Sequence, residues 1–300
     1  MIDYSVIIPQ RNSLETLPRL FKSIPQRDNV EIILVDNTPT PITKADILID
    51  RDYKLCWSHP DRCAGGARNV GIENAIGKWL IFSDADDFFT EEAFDVFESI
   101  KDSDADIIYF CAQGIYPDTG LSSNQADLYT NLVRSYLQDS KNEMSLRLSF
   151  HVPWAKMVKR SFVEKMGLRF DEVVANNDDY FALTAGYYAN KVHAVNKTVY
   201  YYAVSCGSIM RRRSLDVMKT RFEVILRCNQ FKKQHGLSNY QGSVMYFLAQ
   251  SRHYGFIAML QFFGLLFKYK QNPFVGYRNW IKTSKKIRQQ EQKDKKYIIQ

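Results

Sequence analysis

Residues 77–94 read GKWLIFSDADDFFTEEAF, and the reading of this stretch decides the architecture. Trp79 to Phe82 make an apolar run of strand length, suited to burial on both faces. Three carboxylates, Asp84, Asp86 and Asp87, follow at once. Like charges that close raise one another's pKa, so the cluster needs a cation, hydrogen-bond donors or open water around it. Thr90, Glu91 and Glu92 then open a helix, with acids at its positive end. A buried strand, an acid loop and a helix in succession form one unit of an α/β sheet.

Outward from this unit the same rhythm recurs. YSVIIP is a buried strand, and Ser13 is predicted to cap a helix whose Leu14, Leu17, Leu20, Phe21 and Ile24 share one face. EIILVD is a second strand, closed by the turn-prone NTPTP, and ILID is expected as a short third. GGARNVGIENAIG reads as a glycine-led loop running into a helix, and ADIIYFC as a further strand. The order predicts a mainly parallel, helix-covered central sheet. Right-handed crossovers then gather the carboxyl ends of successive strands on one edge. Residues 9–12, Asp36 and residues 84–87 are thereby delivered to one ligand-binding crevice.

Residues 113–150 are more polar, with loops and a helix. HVPWAKMVKRSFVEKMGLRF offers a short segment and a helix, NNDDYFALTAGYYANKV a helix with acids at its start, and VHAVNKTVYYYAV a strand. From Ser214 onward the pattern is mostly helical. The organisation predicted is a donor-binding half over 1–110, an acceptor-binding half of the same domain over 111–212, and a helical C-terminal extension over 213–300.

With 300 residues and 45% hydrophobic content the chain can bury one large core or two modest ones. The opening MIDYSVIIPQRN has no basic and apolar leader pattern. The five cysteines, Cys56, Cys63, Cys111, Cys206 and Cys228, are odd in number and include no C-x-x-C pair. A reducing compartment is therefore expected, without a disulfide framework or a zinc site. The net charge of +7 is unevenly placed: residues 268–300 carry ten Lys/Arg against two acids, which leaves residues 1–267 near −1. A nucleic-acid partner would call for a basic face or a recognisable module, and neither is evident outside this tail.

The D-x-D spacing of Asp84 and Asp86 suits a hard divalent cation such as Mg²⁺ or Mn²⁺, held by one or two carboxylates and completed by phosphate oxygens. The competing reading is a solvated turn in which Asp87 caps the next helix. Asp36 likewise has a plain alternative, as a turn former ahead of NTPTP.

Four stretches in order, SVIIPQRNSLETLPRLFKSI, VEIILVDN, GGARNVGIENAIGKWLIFSDADDFF and NNDDYF, resemble family 2 glycosyltransferases with the GT-A nucleotide-sugar-binding fold. The resemblance runs over roughly residues 4–205. It implies an inverting transfer of a sugar from a nucleotide-diphosphate donor to a saccharide or lipid-linked saccharide, as in the building of bacterial surface polysaccharides. On this resemblance Asp36 would hold the base or ribose with Pro9, Arg11, Asn12 and Arg68. Asp84 would reach the ribose or the metal, and Asp86 would ligate Mg²⁺ or Mn²⁺. Such a transfer needs a carboxylate base for the acceptor hydroxyl. The family pattern, an acid pair with an aromatic three positions after its Asp, puts Asp178 in that role, with Phe181 the aromatic and Asn177 in place of the first acid. A register one residue later makes Asp179 the base. Trp154 and Lys156 resemble the family's acceptor-side segment, with a core position the competing reading of Trp154. A sugar-nucleotide pyrophosphorylase would instead place a glycine-rich loop after the first strand, where PQRNSLET has no glycine. A non-catalytic saccharide-binding protein of the same fold is the third possibility.

Two features remain. SCGSIMRRR is a candidate lid whose Arg211, Arg212 and Arg213 would meet phosphate, or else only water. Residues 253–267 contain no Asp, Glu, Lys or Arg, too short a run for the about 20 residues of a spanning helix. A buried helix is the default there, and the basic run beyond makes peripheral contact with the cytosolic face of a membrane the alternative.

Overall fold

Seven consecutive buried residues, Tyr4–Gln10, form β1, and the first sheet grows outward from it. The computed structural model describes residues 1–47, 49–204 and 214–277, and the chain divides into two compact units, Met1–Arg211 and Arg212–Gln300. In the first unit β2 (Val30–Asp36), β3 (Lys54–Trp57) and β4 (Trp79–Phe82) extend the sheet in the order β3-β2-β1-β4, all parallel. Ile7 lies between Ile33 and Phe82, so the strands end level with one another and Gln10, Asp36 and residues 83–87 emerge at one edge.

Beyond β4 the sheet is mixed. β8 (Lys156–Lys159) runs antiparallel to both β4 and β6 (Ile107–Ile115), while β9 (Val192–Ala203) runs parallel to β6. A two-residue β5 (Phe88–Phe89), directly after the acid loop, pairs antiparallel with Tyr200 and Tyr201 of β9. The pair β7 (Ser122–Ser123) lies against the end of β6. The helices of this unit are α1 (Leu17–Ser23), α2 (Cys63–Asn74), α3 (Ala93–Ile100), α4 (Asp127–Gln138), α5 (Glu143–Ser149), α6 (Arg160–Lys165) and α7 (Asp179–Tyr188).

Three local expectations are corrected. The third strand is KLCW rather than ILID. Residues 44–46 instead make a short 3-10 turn with a reciprocal Thr43–Asp46 cap, and the true strand is a half-exposed edge without alternation. Helix α1 starts at Leu17, not after Ser13, because Asn12 turns into the left-handed region (φ 55°) and the Ser13 amide donates to Gln10 Oε1 at 2.9 Å. The glycines of GGARN sit inside α2, in its first turn, instead of in a loop before it.

The second unit contains α8 (Leu215–Gln234), α9 (Met245–Ser251) and α10 (Phe256–Lys268). Ser214 caps α8 through its hydroxyl, and the unit has its own core of Met218, Phe222, Leu226, Val244, Phe247 and Phe262. Phe222 stacks on Phe262 at 5.1 Å. Among the described residues no helix is long and apolar enough to cross a membrane. The candidate lid at residues 205–213 and the tail beyond residue 277 lie outside the described residues.

Candidate functional site

The acid loop is sorted by burial into one anchor and two outward groups. Asp87 is buried and accepts from the Tyr200 hydroxyl at 2.8 Å and from the Ala203 amide at 2.7 Å. Burial, then the charges of Asp84 and Asp86, push its carboxyl well above the ordinary range. The Tyr200 oxygen in turn accepts from the Asp84 amide at 3.0 Å and meets the Ser83 hydroxyl at 3.2 Å. Asp87 therefore ties the loop to β9 and caps no helix. From the other side, Thr16 donates to the Ala85 carbonyl at 2.7 Å, and Arg19 to that of Asp86 at 2.5 Å. With the backbone held at both ends, Asp84 and Asp86 are left to project. Asp86 reaches solvent, yet protein crowds it closely, and the lost hydration together with Asp84 raises its carboxyl to about 6.

One guanidinium connects this loop to the start of α7. Arg68, buried on α2, places Nη2 2.5 Å from Asp84 Oδ1 and Nη1 2.8 Å from Asn177 Oδ1. Its plane lies over Phe170 at 5.4 Å, and Phe170 stacks on Phe181 at 4.0 Å. Phe82, the last residue of β4, meets both rings edge-on at 5.0 and 5.9 Å. The aromatic three positions after Asp178 thus fastens the first turn of α7 against the end of β4. Asp178 is the residue before α7 and is half-buried. Burial, Asp179 and Asp84 raise its carboxyl to about 7, and the Arg68 charge opposes them. Asp179 takes a hydrogen bond from Asn176 at 2.8 Å.

Helix α2 also positions the segment that leads to Asp178. Asn69 donates to the Phe170 carbonyl at 3.0 Å and accepts from its amide at 2.8 Å, both groups buried. Arg62 grips Glu172 with two bonds of 2.9 and 2.6 Å. Between these staples the backbone approaches so closely that a Cβ on Gly65 would stand 1.8 Å from the Asp171 carbonyl oxygen. The glycine is required by contact, not by conformation.

The structure does not gather every expected residue. Asp36 is 1% exposed and turned onto its own loop. It accepts from Gln10 Nε2, the Thr38 amide and hydroxyl, and the Ile42 amide, at 2.8 to 3.1 Å. Those four donors match the roughly four lone-pair sites of a carboxylate and hold the turn. Pro9 is buried within β1 opposite Val35, while Arg11 and Asn12 are exposed just beyond it. Trp154 and Lys156 are buried, 3% and 5% exposed. Trp154 stacks on Tyr200 at 5.2 Å in the core. Lys156 donates to the Phe150 carbonyl at 2.7 Å over the Phe150 and Tyr109 rings, and burial lowers its ammonium to about 7 against the pull of Asp178. Gln10, Asn69, Phe170 and Tyr200 were missed; all four are buried or locally unremarkable in sequence, and only their distant partners reveal them. A recess of about 520 Å³ elsewhere, beside Lys44, Asp50, Arg51 and Tyr53, contains none of these acids. Its Arg51 is taken up by the carbonyls of Phe21, Ile24 and Pro25.

The family model for glycosyl transferase family 2 matches residues 5–167, more than half of the chain. The chain belongs to glycosyl transferase family 2. Among curated relatives of this family 2 chain, EpsH of Bacillus subtilis, named provisionally as a glycosyltransferase, is 25% identical over 197 residues, 62% of this chain and 55% of EpsH. The poly(ribitol-phosphate) β-N-acetylglucosaminyltransferase TarS of Staphylococcus aureus is 23% identical over 216 residues, 68% of this chain and 36% of TarS. The family 2 chain thus spans about half of the one relative and about a third of the other. Its fold is shared with TarS residues 1–349 in complex with UDP-GlcNAc, at a TM-score of 0.55 and 18% identity over 85% of this chain and 73% of that one. It is shared also with the mannosyltransferase PcManGT of Pyrobaculum calidifontis in complex with GDP-Man and Mn²⁺, at 0.56 and 16% identity over 92% and 82%. The mixed α/β sheet is the GT-A architecture.

Proposed function

We propose that this family 2 chain transfers a sugar from a nucleoside-diphosphate donor to a saccharide or lipid-linked saccharide acceptor, with inversion, in the assembly of a bacterial surface polysaccharide. The observation that carries the reading is the Arg68 bridge. It joins the acid loop after β4 to the residue before Asp178, so donor-side and base-side groups share one charged neighbourhood. Donor half and acceptor half would then correspond to residues 1–110 and 111–212, meeting at α2 and α7.

In this mechanism Asp178 accepts the proton of the acceptor hydroxyl. The hydroxyl oxygen bonds to the anomeric carbon from the face opposite the nucleotide, and the bond from that carbon to the diphosphate oxygen breaks. The nucleoside diphosphate departs with the bonding pair, and the configuration inverts. A carboxyl raised to about 7 is a stronger base than an ordinary carboxylate, which suits the task. Asp179 keeps it from ionising early by its like charge, and Arg68 moderates the effect.

Among the described residues no group of three or more His, Cys, Asp or Glu side chains forms a metal cage. Asp86 with Asp84 nevertheless fits a hard cation: crowding by protein and the neighbouring Asp84 charge raise the Asp86 carboxyl to about 6, and a bound cation would offset both. Asp86 would be the principal ligand, since Asp84 already gives one oxygen to Arg68. When bound, Mg²⁺ or Mn²⁺ would neutralise charge on the leaving diphosphate. The cytosol or the cytosolic face of a membrane is the compartment that fits this reading.

Incubation with a panel of UDP-, GDP- and dTDP-sugars, with and without Mn²⁺, tests the reading. Release of nucleoside diphosphate is expected for at least one donor, together with a thermal shift, because a ligand at a hundredfold its Kd adds about 2.7 kcal/mol. Binding without turnover for every donor and acceptor mixture would favour a saccharide-binding protein instead.

A further inference from the structure

The second unit carries an apolar face that its own core leaves uncovered. Helix α10 buries Ala258, Phe262 and Leu266 against α8 and α9, as the helical period requires. The same helix turns Phe256, Ile257, Leu260, Phe263 and Phe267 outward, between 39% and 82% exposed. These positions recur at i, i+4, i+7 and i+11 and make one stripe along the helix, and Phe274 just beyond it is 67% exposed. Single exposed apolar residues are ordinary; a contiguous aromatic stripe is not.

Charge identifies what covers it. From Glu223 to Glu291 the sequence has no Asp or Glu between, and eleven Lys/Arg. Arg252 and His253 stand exposed at the start of α10, and Lys268 and Lys270 at its end, with Glu223 the partner of Lys268 at 2.6 Å. A second copy of the chain docking by this face would set like charge against like across a two-fold interface. An anionic bilayer presents the opposite charge to the rim and hydrocarbon to the stripe. At 13 residues α10 is about 20 Å long, well under the ~30 Å hydrocarbon thickness, so it would lie along the surface.

We propose that α10 docks this protein on an anionic phospholipid surface through Phe256, Ile257, Leu260, Phe263 and Phe267, with the flanking basic residues on the headgroups. The five side chains would enter the acyl boundary while the opposite face keeps its contacts with Phe222 and Phe247. None of them belongs to the acid cluster, so the proposal stands or falls independently of the reaction.

The test is co-sedimentation of the full chain with vesicles of phosphatidylglycerol and phosphatidylcholine in equal parts, against pure phosphatidylcholine. At least tenfold stronger binding to the anionic vesicles is expected, weakened severalfold by 0.5 M salt. The variant carrying Leu260→Ser, Phe263→Ser and Phe267→Ser changes exposed positions only and should keep its circular dichroism, yet lose at least tenfold in vesicle affinity. Equal binding to both vesicle types overturns the proposal, as does a triple variant that binds as well as the parent. A concentration-dependent dimer that the triple variant dissolves, with no vesicle preference, would assign the face to a second copy instead.

Discussion

Arg68 serves two loops with one side chain, and its fork is what makes that possible. A lysine in its place has a single ammonium and cannot span Asp84 and Asn177 at 2.5 and 2.8 Å. Arg68→Lys is expected to lose about 1–3 kcal/mol of stability by leaving one partner unmatched, and donor turnover should fall at least tenfold. Differential calorimetry and a donor-hydrolysis assay measure the two effects. Asp178 supplies a pH signature. Its carboxyl in the folded chain stands at about 7, so kcat/KM should rise with pH through about 7 and level off above it. The consequence for stability has the opposite sense. A carboxyl whose folded pKa is raised binds its proton more tightly in the folded state, so stability declines as pH climbs from the ordinary carboxylate range to about 7. Asp178→Asn should therefore abolish transfer yet melt about 2–4 °C higher than the parent at pH about 8, equivalent to roughly 1 kcal/mol after allowance for its partial solvent access. At pH about 4 the two proteins should melt together. A variant that melts lower at pH 8 would overturn the assignment of Asp178 as a crowded, like-charged acid.

At the scale of elements, α2 is the part that aligns the two halves of the site. Its Gly65 lies against the Asp171 carbonyl, and Asn69 reads the Phe170 backbone in both directions. Gly65→Ala would ordinarily strengthen a helix by about 1 kcal/mol. Here the added methyl has no room, and the strain, about 1–3 kcal/mol, outweighs the gain. The variant should unfold at lower urea and lose kcat more than donor affinity, because the displaced segment is the one that carries Asp178. The Arg62–Glu172 pair is the more solvent-exposed staple: both side chains are 38% exposed, and exposed pairs contribute little. Glu172→Gln should shift stability by under about 1 kcal/mol and lower turnover less than Gly65→Ala does.

Across the whole molecule, two hydrophobic cores are built from separate stretches of chain. One surrounds the sheet, and the other joins α8, α9 and α10 around Phe222 and Phe262. Phe262 is fully buried, so Phe262→Ala should destabilise the helical unit by about 3–5 kcal/mol. In a Trp280→Phe background the remaining tryptophans, Trp57, Trp79 and Trp154, all belong to the first unit, and their fluorescence transition should move less than the circular dichroism, to which the helices of both units contribute. Coincident loss of both signals would show that the units unfold together. The family relationship bears on the first unit above all, since the family model ends at residue 167 and the second unit lies beyond it.

Periodicity and composition alone determined the strands around residues 4–10, 30–36 and 79–82 and the helical character after Ser214. These are local properties: an apolar run of strand length has one stable disposition in an α/β layer. Tertiary structure decided which polar residues serve the site and which serve the frame. Asp36 accepts from donors of its own loop, Lys156 is buried against the Phe150 carbonyl, and Asp87 turns inward to Tyr200 while its neighbours face out. Tyr200 is 113 residues from Asp87 and Gln10 is 26 from Asp36, while Thr38 and Phe150 are near their partners in sequence and meet them only through the turn of the folded backbone. A side chain's role depends on which donors and charges surround it in space, and residue order alone does not give that arrangement.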